Sequence, residues 1–95
     1  MFVVTLTYVR PIEEIEAKTA EHRAWLDQHV QSGLLIATGP MVPRTGGVLI
    51  ARGGGTKDEL AALLKDDPFQ VHGLADYAIV EFKPGKYHPA LEPFL

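Results

Sequence analysis

Apolar residues recur along this chain in two rhythms, and each change of rhythm marks a change of element. From Phe2 to Val9 the sequence is β-branched and aromatic. Phe2, Val4, Leu6 and Tyr8 fall on one side and Val3, Thr5, Thr7 and Val9 on the other, and neither side carries a charge. That predicts a strand. After Arg10-Pro11 the spacing lengthens to three and four: Ile12, Ile15, Thr19, His22, Leu26 and either His29 or Val30 form the stripe by which a helix lies on a sheet. Pro11 suits a helix start, Glu13, Glu14 and Glu16 complement the positive end of its dipole, and Gly33 suits the left-handed residue that ends it. One long helix is therefore expected from about Pro11 to Ser32.

Leu34 to Thr38 is a continuous apolar run closed by Gly39-Pro40, and Val48 to Ala51 is a second short run after Gly46-Gly47. Two such runs joined by a Pro- and Gly-containing loop predict a hairpin. Gly53-Gly54-Gly55 breaks the pattern, and Thr56 with Glu59 forms a capping box for a second helix whose apolar side is Leu60, Leu63 and Leu64. Asp67 stands before Pro68, which disfavours helical backbone there and places the carboxylate at that helix's exit. Tyr77 to Phe82 is the last strand, and residues 84–95 form a Pro-rich extension ending in Leu91, Phe94 and Leu95.

The order βαββαβ is that of an α+β, ferredoxin-like domain: a four-stranded antiparallel sheet with two helices on one face. With 95 residues there is room for one domain over 1–95 and one modest core. The same strands create a surplus. Once Phe2, Val4, Leu6 and Tyr8 face the helices, Val3, Val9 and either Ile79 or Val80 remain on the open face, so a homodimer packed sheet to sheet is expected.

Composition narrows the function classes. The chain is 46% hydrophobic and 22% charged, which is globular and not disordered composition. A net charge of −3 without clustered Lys and Arg argues against a nucleic-acid partner. No long apolar run or basic-then-apolar leader points to a membrane. With no cysteine there is no disulfide, thiolate chemistry or cysteine-held metal, and a cytoplasmic location is the default.

Two residues stand where a core has little use for them. His22 lies on the apolar stripe of the first helix, and Asp67 follows the second. A carboxylate is the partner that would orient a half-buried imidazole and stabilise positive charge on it, so the two form a candidate acid-base pair. Read singly, His22 is a satisfied core histidine and Asp67 a turn residue. If the fold is right, however, the two flank one end of the same helical layer. His29 is two turns from His22, too far for the one-turn His-Glu-x-x-His metal spacing; His72, close to Asp67 in sequence, suits a second pocket residue or, more readily, a surface loop residue, and His88 reads as tail packing. A metal site would require His22, His72 and Asp67 to converge, and neither metal nor other cofactor is expected. The three glycines lack the Gly-Lys-Ser/Thr ending of a phosphate loop. Arg10, Arg44 and Arg52 are candidates to hold a carboxylate, although scattered arginines are usually solvated, and Tyr8 and Trp25 suit either core or pocket wall. No nucleophile or oxyanion hole is evident, so covalent hydrolysis is not expected.

The ordered set Glu21-His22-Arg23-Ala24-Trp25-Leu26, Leu35-Ile36-Ala37-Thr38-Gly39-Pro40, Asp66-Asp67-Pro68-Phe69, Gly73-Leu74 and Val80-Glu81-Phe82 resembles the YciI-like (YCII-related) family over nearly the whole chain. The resemblance implies a dimeric α+β barrel of ferredoxin-like subunits. Each would have a pocket in which His22 and Asp67 are the suspected catalytic pair and Gly39 and Pro40 form the wall. The substrate-facing surface is then expected around Tyr8, Gly39, Pro40, Met41 and Phe69. A family member that dechlorinates a chlorinated hydroxyquinol, and distant barrel relatives such as muconolactone isomerase, imply small ring substrates. Many members have an arginine where Thr19 stands here, so the helix supplies no cation for an anionic substrate at that position. The expected activity is isomerisation, dehydration or dehydrohalogenation of a small cyclic or phenolic metabolite. The alternatives are a small-molecule-binding module and an accessory dimerisation module.

Overall fold

Strand alternation, one amphipathic helix and a capped second helix together place the site, and the computed structural model describes them over all residues Met1–Leu95. The elements are β1 (Phe2–Tyr8), α1 (Ile12–Gln31), β2 (Leu35–Pro40), β3 (Gly46–Ala51), α2 (Lys57–Leu64), α3 (Pro68–Val71) and β4 (Ala75–Glu81), followed by a 3₁₀ turn over Pro89–Phe94. The four strands lie in the order β2-β3-β1-β4 with every neighbouring pair antiparallel, the ferredoxin-like arrangement expected from the element order.

Phe2, Val4 and Leu6 of β1 are buried under the helices with Ile15 and Leu26 of α1, Leu60 and Leu64 of α2, and Phe69 of α3. Register settles the choice on the opposite face. Val3 pairs with Ile50 on one side and Val80 on the other, whereas Ile79 pairs with Val4 and packs on the core, so Val80 is the exposed residue. On α1 the last stripe position belongs to His29, half-buried against Trp25, while Val30 is exposed.

Three boundaries differ from the hydropathy pattern. β2 runs through Gly39 and Pro40 and β3 begins at Gly46, because the ladder pairs Gly39 with Val48 and Pro40 with Gly47. Backbone hydrogen bonds extend the strands beyond their apolar side chains, and β2 is an edge strand, where a proline without an N–H is tolerated. A glycine is required at 46, since a Cβ there would stand 1.8 Å from the Leu6 carbonyl oxygen of the neighbouring strand. β4 likewise begins at Ala75, two residues earlier than the pattern predicts.

The third difference concerns Asp67. α2, capped by Thr56 accepting from the Glu59 N–H at 3.1 Å, ends at Leu64, and Asp67 is not its exit but the N-cap of α3. Its carboxylate accepts the Phe69 N–H at 3.1 Å, and Pro68 occupies the first helical position, where its missing N–H costs nothing.

The C-terminal extension docks at the end of the sheet where β1 begins and β3 ends. His88 caps its 3₁₀ turn by accepting from the Ala90 N–H, Gly53 N–H donates to the Phe94 carbonyl at 2.8 Å, and Arg52 donates to the Pro93 carbonyl at 2.8 Å. The opposite end of the sheet remains free, and there the candidate residues gather.

Candidate active site

The middle of α1 and the start of α3 meet over the C-terminal half of β1. Their meeting brings His22 to Asp67: imidazole Nδ1 lies 2.6 Å from carboxylate Oδ1. Asp67 is fully buried, an arrangement that water alone cannot support, so its oxygens need protein donors. They have three. Oδ1 accepts from His22 and from the Phe69 N–H, and Oδ2 accepts from the Tyr77 hydroxyl of β4. The His22 ring stacks on Phe69 with centroids 3.8 Å apart and planes 6° from parallel, so its orientation is set by contact as well as by hydrogen bonding. Tyr8 meets Phe69 edge-on at 6.0 Å and 88°.

Burial pushes the Tyr77 phenol far above the ordinary tyrosine range, and the hydrogen bond to Asp67 and that residue's negative charge push it further. Tyr77 is therefore a permanent donor to Asp67 while the chain is folded. With the Phe69 amide and the Tyr77 phenol both donating, the carboxylate is completed by an Nδ1–H. That fixes the tautomer of His22 and leaves Nε2 as its basic nitrogen.

The Tyr77 bond also predicts an alkaline limb. Unfolded tyrosine loses its proton near pH 10, whereas folded Tyr77 keeps it. Stability from this bond is thus intact below about pH 10 and falls as pH rises beyond, by at most about 1.4 kcal/mol per pH unit for one proton. Urea midpoints between pH 9 and 11 should fall more steeply for the native sequence than for Tyr77→Phe; parallel slopes would show that the phenol is not held.

His22 and Phe69 line a cavity of about 190 Å³ together with Tyr8, Gly39 and Pro40. For scale, a dry cavity of about 150 Å³ accommodates benzene, so this one suits a single ring. Asp67 lies behind His22 and does not line the cavity. Met41 does not line it either. It follows Pro40 in the alternation of the hairpin and so falls on the other face, with its sulfur beside Gly46 and within 3.8 Å of Thr45 Oγ1.

Three residues that sequence reasoning did not assign to the pocket also belong to this region. Tyr77 was a strand residue with no assigned partner, although its place opposite Leu6 puts it on the helix side of the sheet. Arg44, one of three arginines open to either a carboxylate-holding or a solvated role, reaches over the cavity from the β2–β3 connection, 6.0 Å from the Tyr8 ring centroid, with Nη2 3.5 Å from Thr19 Oγ1. Thr19 itself lines the cavity. Trp25 packs on the core and His29 instead of lining it. His72 is exposed at the end of α3, and no three His, Asp or Glu side chains gather as a metal-binding group. No helix is long and apolar enough to cross a membrane.

Residues 1–83 match the family model described as the YCII-related domain. No curated protein matches the chain. Among solved structures, the chain is similar to the 5-chloro-2-hydroxyhydroquinone dehydrochlorinase from Burkholderia phenoliruptrix AC1100, in its complex with 2,5-dihydroxybenzoquinone. That match has a TM-score of 0.71 at 23% identity and covers 90% of this chain and 96% of that one, a likeness of fold.

Proposed function

Because this chain belongs to the family of YCII-related domains, we propose that its cavity is the active site of an enzyme that moves a proton on a small phenolic or cyclic substrate. His22 is the acid-base group and Asp67 the group that orients it. The observation that carries this reading is the 2.6 Å contact between His22 Nδ1 and a fully buried carboxylate. A packing histidine has no need of a buried anion held by two further donors. A base does, because the positive charge that arrives when Nε2 takes a proton is met by Asp67.

The same residues serve two related reactions. In a dehydrohalogenation of a halogenated hydroquinol, Nε2 takes a hydroxyl proton and the ring ketonises by accepting a proton at the carbon that bears the halogen. Halide then leaves from that now saturated carbon as a second hydroxyl gives up its proton, leaving a quinone with net loss of HX and no redox partner. In an isomerisation, the proton returns to a different atom. The dehydrochlorinase named above makes the first the reaction to try, and the cavity's single-ring size agrees with it. Incubation with halogenated hydroquinols, following halide release and ring absorbance, should show turnover that His22→Gln lacks. Ring compounds that bind with no turnover by the native chain would identify a binding module instead. Absence of both binding and turnover would point to an accessory dimerisation module.

The working unit in this reading is a homodimer. Val3, Ile50 and Val80 form one row across the open sheet face, with Thr5, Val48 and Ala78 beside it, and neither helices nor tail residues hydrogen-bond across that row. A second copy packed sheet to sheet would cover it.

A further inference from the structure

The cavity has a charge that the acid-base pair does not use. Two arginines, Arg23 and Arg44, line it and no carboxylate does, although the chain as a whole carries −3. Asp67 cannot neutralise them, because it is buried behind His22 with both oxygens engaged. Arg44 is the better placed of the two. Thr19 gives its own hydroxyl proton to the Ile15 carbonyl at 2.8 Å, so the oxygen that faces Arg44 Nη2 at 3.5 Å is an acceptor. The Tyr8 ring lies beneath the same guanidinium. Its acidic neighbour, Glu16, is 3.7 Å away with a side chain 61% exposed, a solvent-screened contact of small worth. Arg44 is therefore positioned over the cavity without being neutralised there, and most of its five donors are open to a ligand.

We propose that Arg44 is the anion-binding residue of this cavity, held in place by Thr19 and Tyr8, and that the ligand is a single-ring compound carrying an acidic oxygen, either a carboxylate or an ionised ring hydroxyl. The ring itself lies toward His22 and Phe69 while the anionic oxygen takes the guanidinium. This rests on the cavity being the active site, and it names the substrate class that the acid-base pair would meet.

Isothermal titration of the full chain with para-hydroxybenzoate and with its neutral counterpart para-hydroxybenzamide tests it. The native chain should prefer the carboxylate, and Arg44→Gln should lower the carboxylate's affinity about 10- to 100-fold while leaving the amide's unchanged. Arg23→Gln should keep the preference. Arg44→Gln with the preference intact, or its loss in Arg23→Gln alone, overturns the assignment to Arg44 while leaving the acid-base reading standing. Failure of the native chain to bind either ring compound overturns both.

Discussion

Asp67→Asn is expected to leave a folded chain that still binds ring ligands but turns them over roughly 10²- to 10⁴-fold more slowly, the scale on which a histidine base loses its carboxylate partner. Asparagine is the informative replacement because of how the three donors are arranged. With its oxygen toward His22 and Phe69, the amide keeps both of those bonds, and its NH₂ group meets Tyr77, whose hydroxyl can turn to accept. Shape and cap persist while the charge that would meet an imidazolium is gone. Asp67→Ala would instead strand the Tyr77 hydroxyl and the Phe69 N–H in a buried site, a loss of about 1–3 kcal/mol for each unsatisfied group, and would confound chemistry with folding. The effect of Asp67→Asn should therefore appear in kcat with KM little changed. His22→Gln should remove turnover altogether. Native kcat in Asp67→Asn would mean that the pair is structural, with the carboxylate serving only as the α3 cap and the Tyr77 partner.

That double duty of Asp67 explains why the site was only partly visible in the sequence. The element order was visible because β1 and α1 have periods long enough to count, and His22 was conspicuous as an ionisable residue on an apolar stripe. α3 is four residues long and shows no period, so Asp67-Pro68 read as an exit although Asp followed by Pro is also an N-cap and a first helical residue. Tyr77 escaped notice because hydropathy counts a core-facing tyrosine as apolar and is blind to where its hydroxyl ends. Met41 fell outside the cavity because alternation continues past Gly39 and Pro40 once these are strand residues, something their side chains do not advertise. Arg44 depends on the path of a loop, which no local pattern encodes.

Val3→Glu is expected to convert a dimer into a folded monomer. Val3 is at the centre of the row Ile50–Val3–Val80 on the strand that is central to the sheet, so a sheet-to-sheet dimer would bury its side chain, and two-fold symmetry would bring a second copy of the substitution into the same interface. Each subunit would then desolvate an unpaired carboxylate, at a penalty of several kcal/mol per ion, and a loss of about 4 kcal/mol already weakens association roughly 10³-fold. In the separate subunit that side chain is only half-buried on the open face, so most of the penalty falls on assembly and not on the fold. Light scattering at micromolar concentration should give twice the chain mass for the native protein and the single mass for Val3→Glu, with unchanged circular dichroism. Thr7→Glu, at the already exposed end of the same face, should remain dimeric. The cavity lies on the helix side of the sheet and is walled by one chain, so the dissociated variant should keep its affinity for ring compounds. A native protein that is monomeric, or a Val3→Glu variant that stays paired, would remove the open sheet face as the interface.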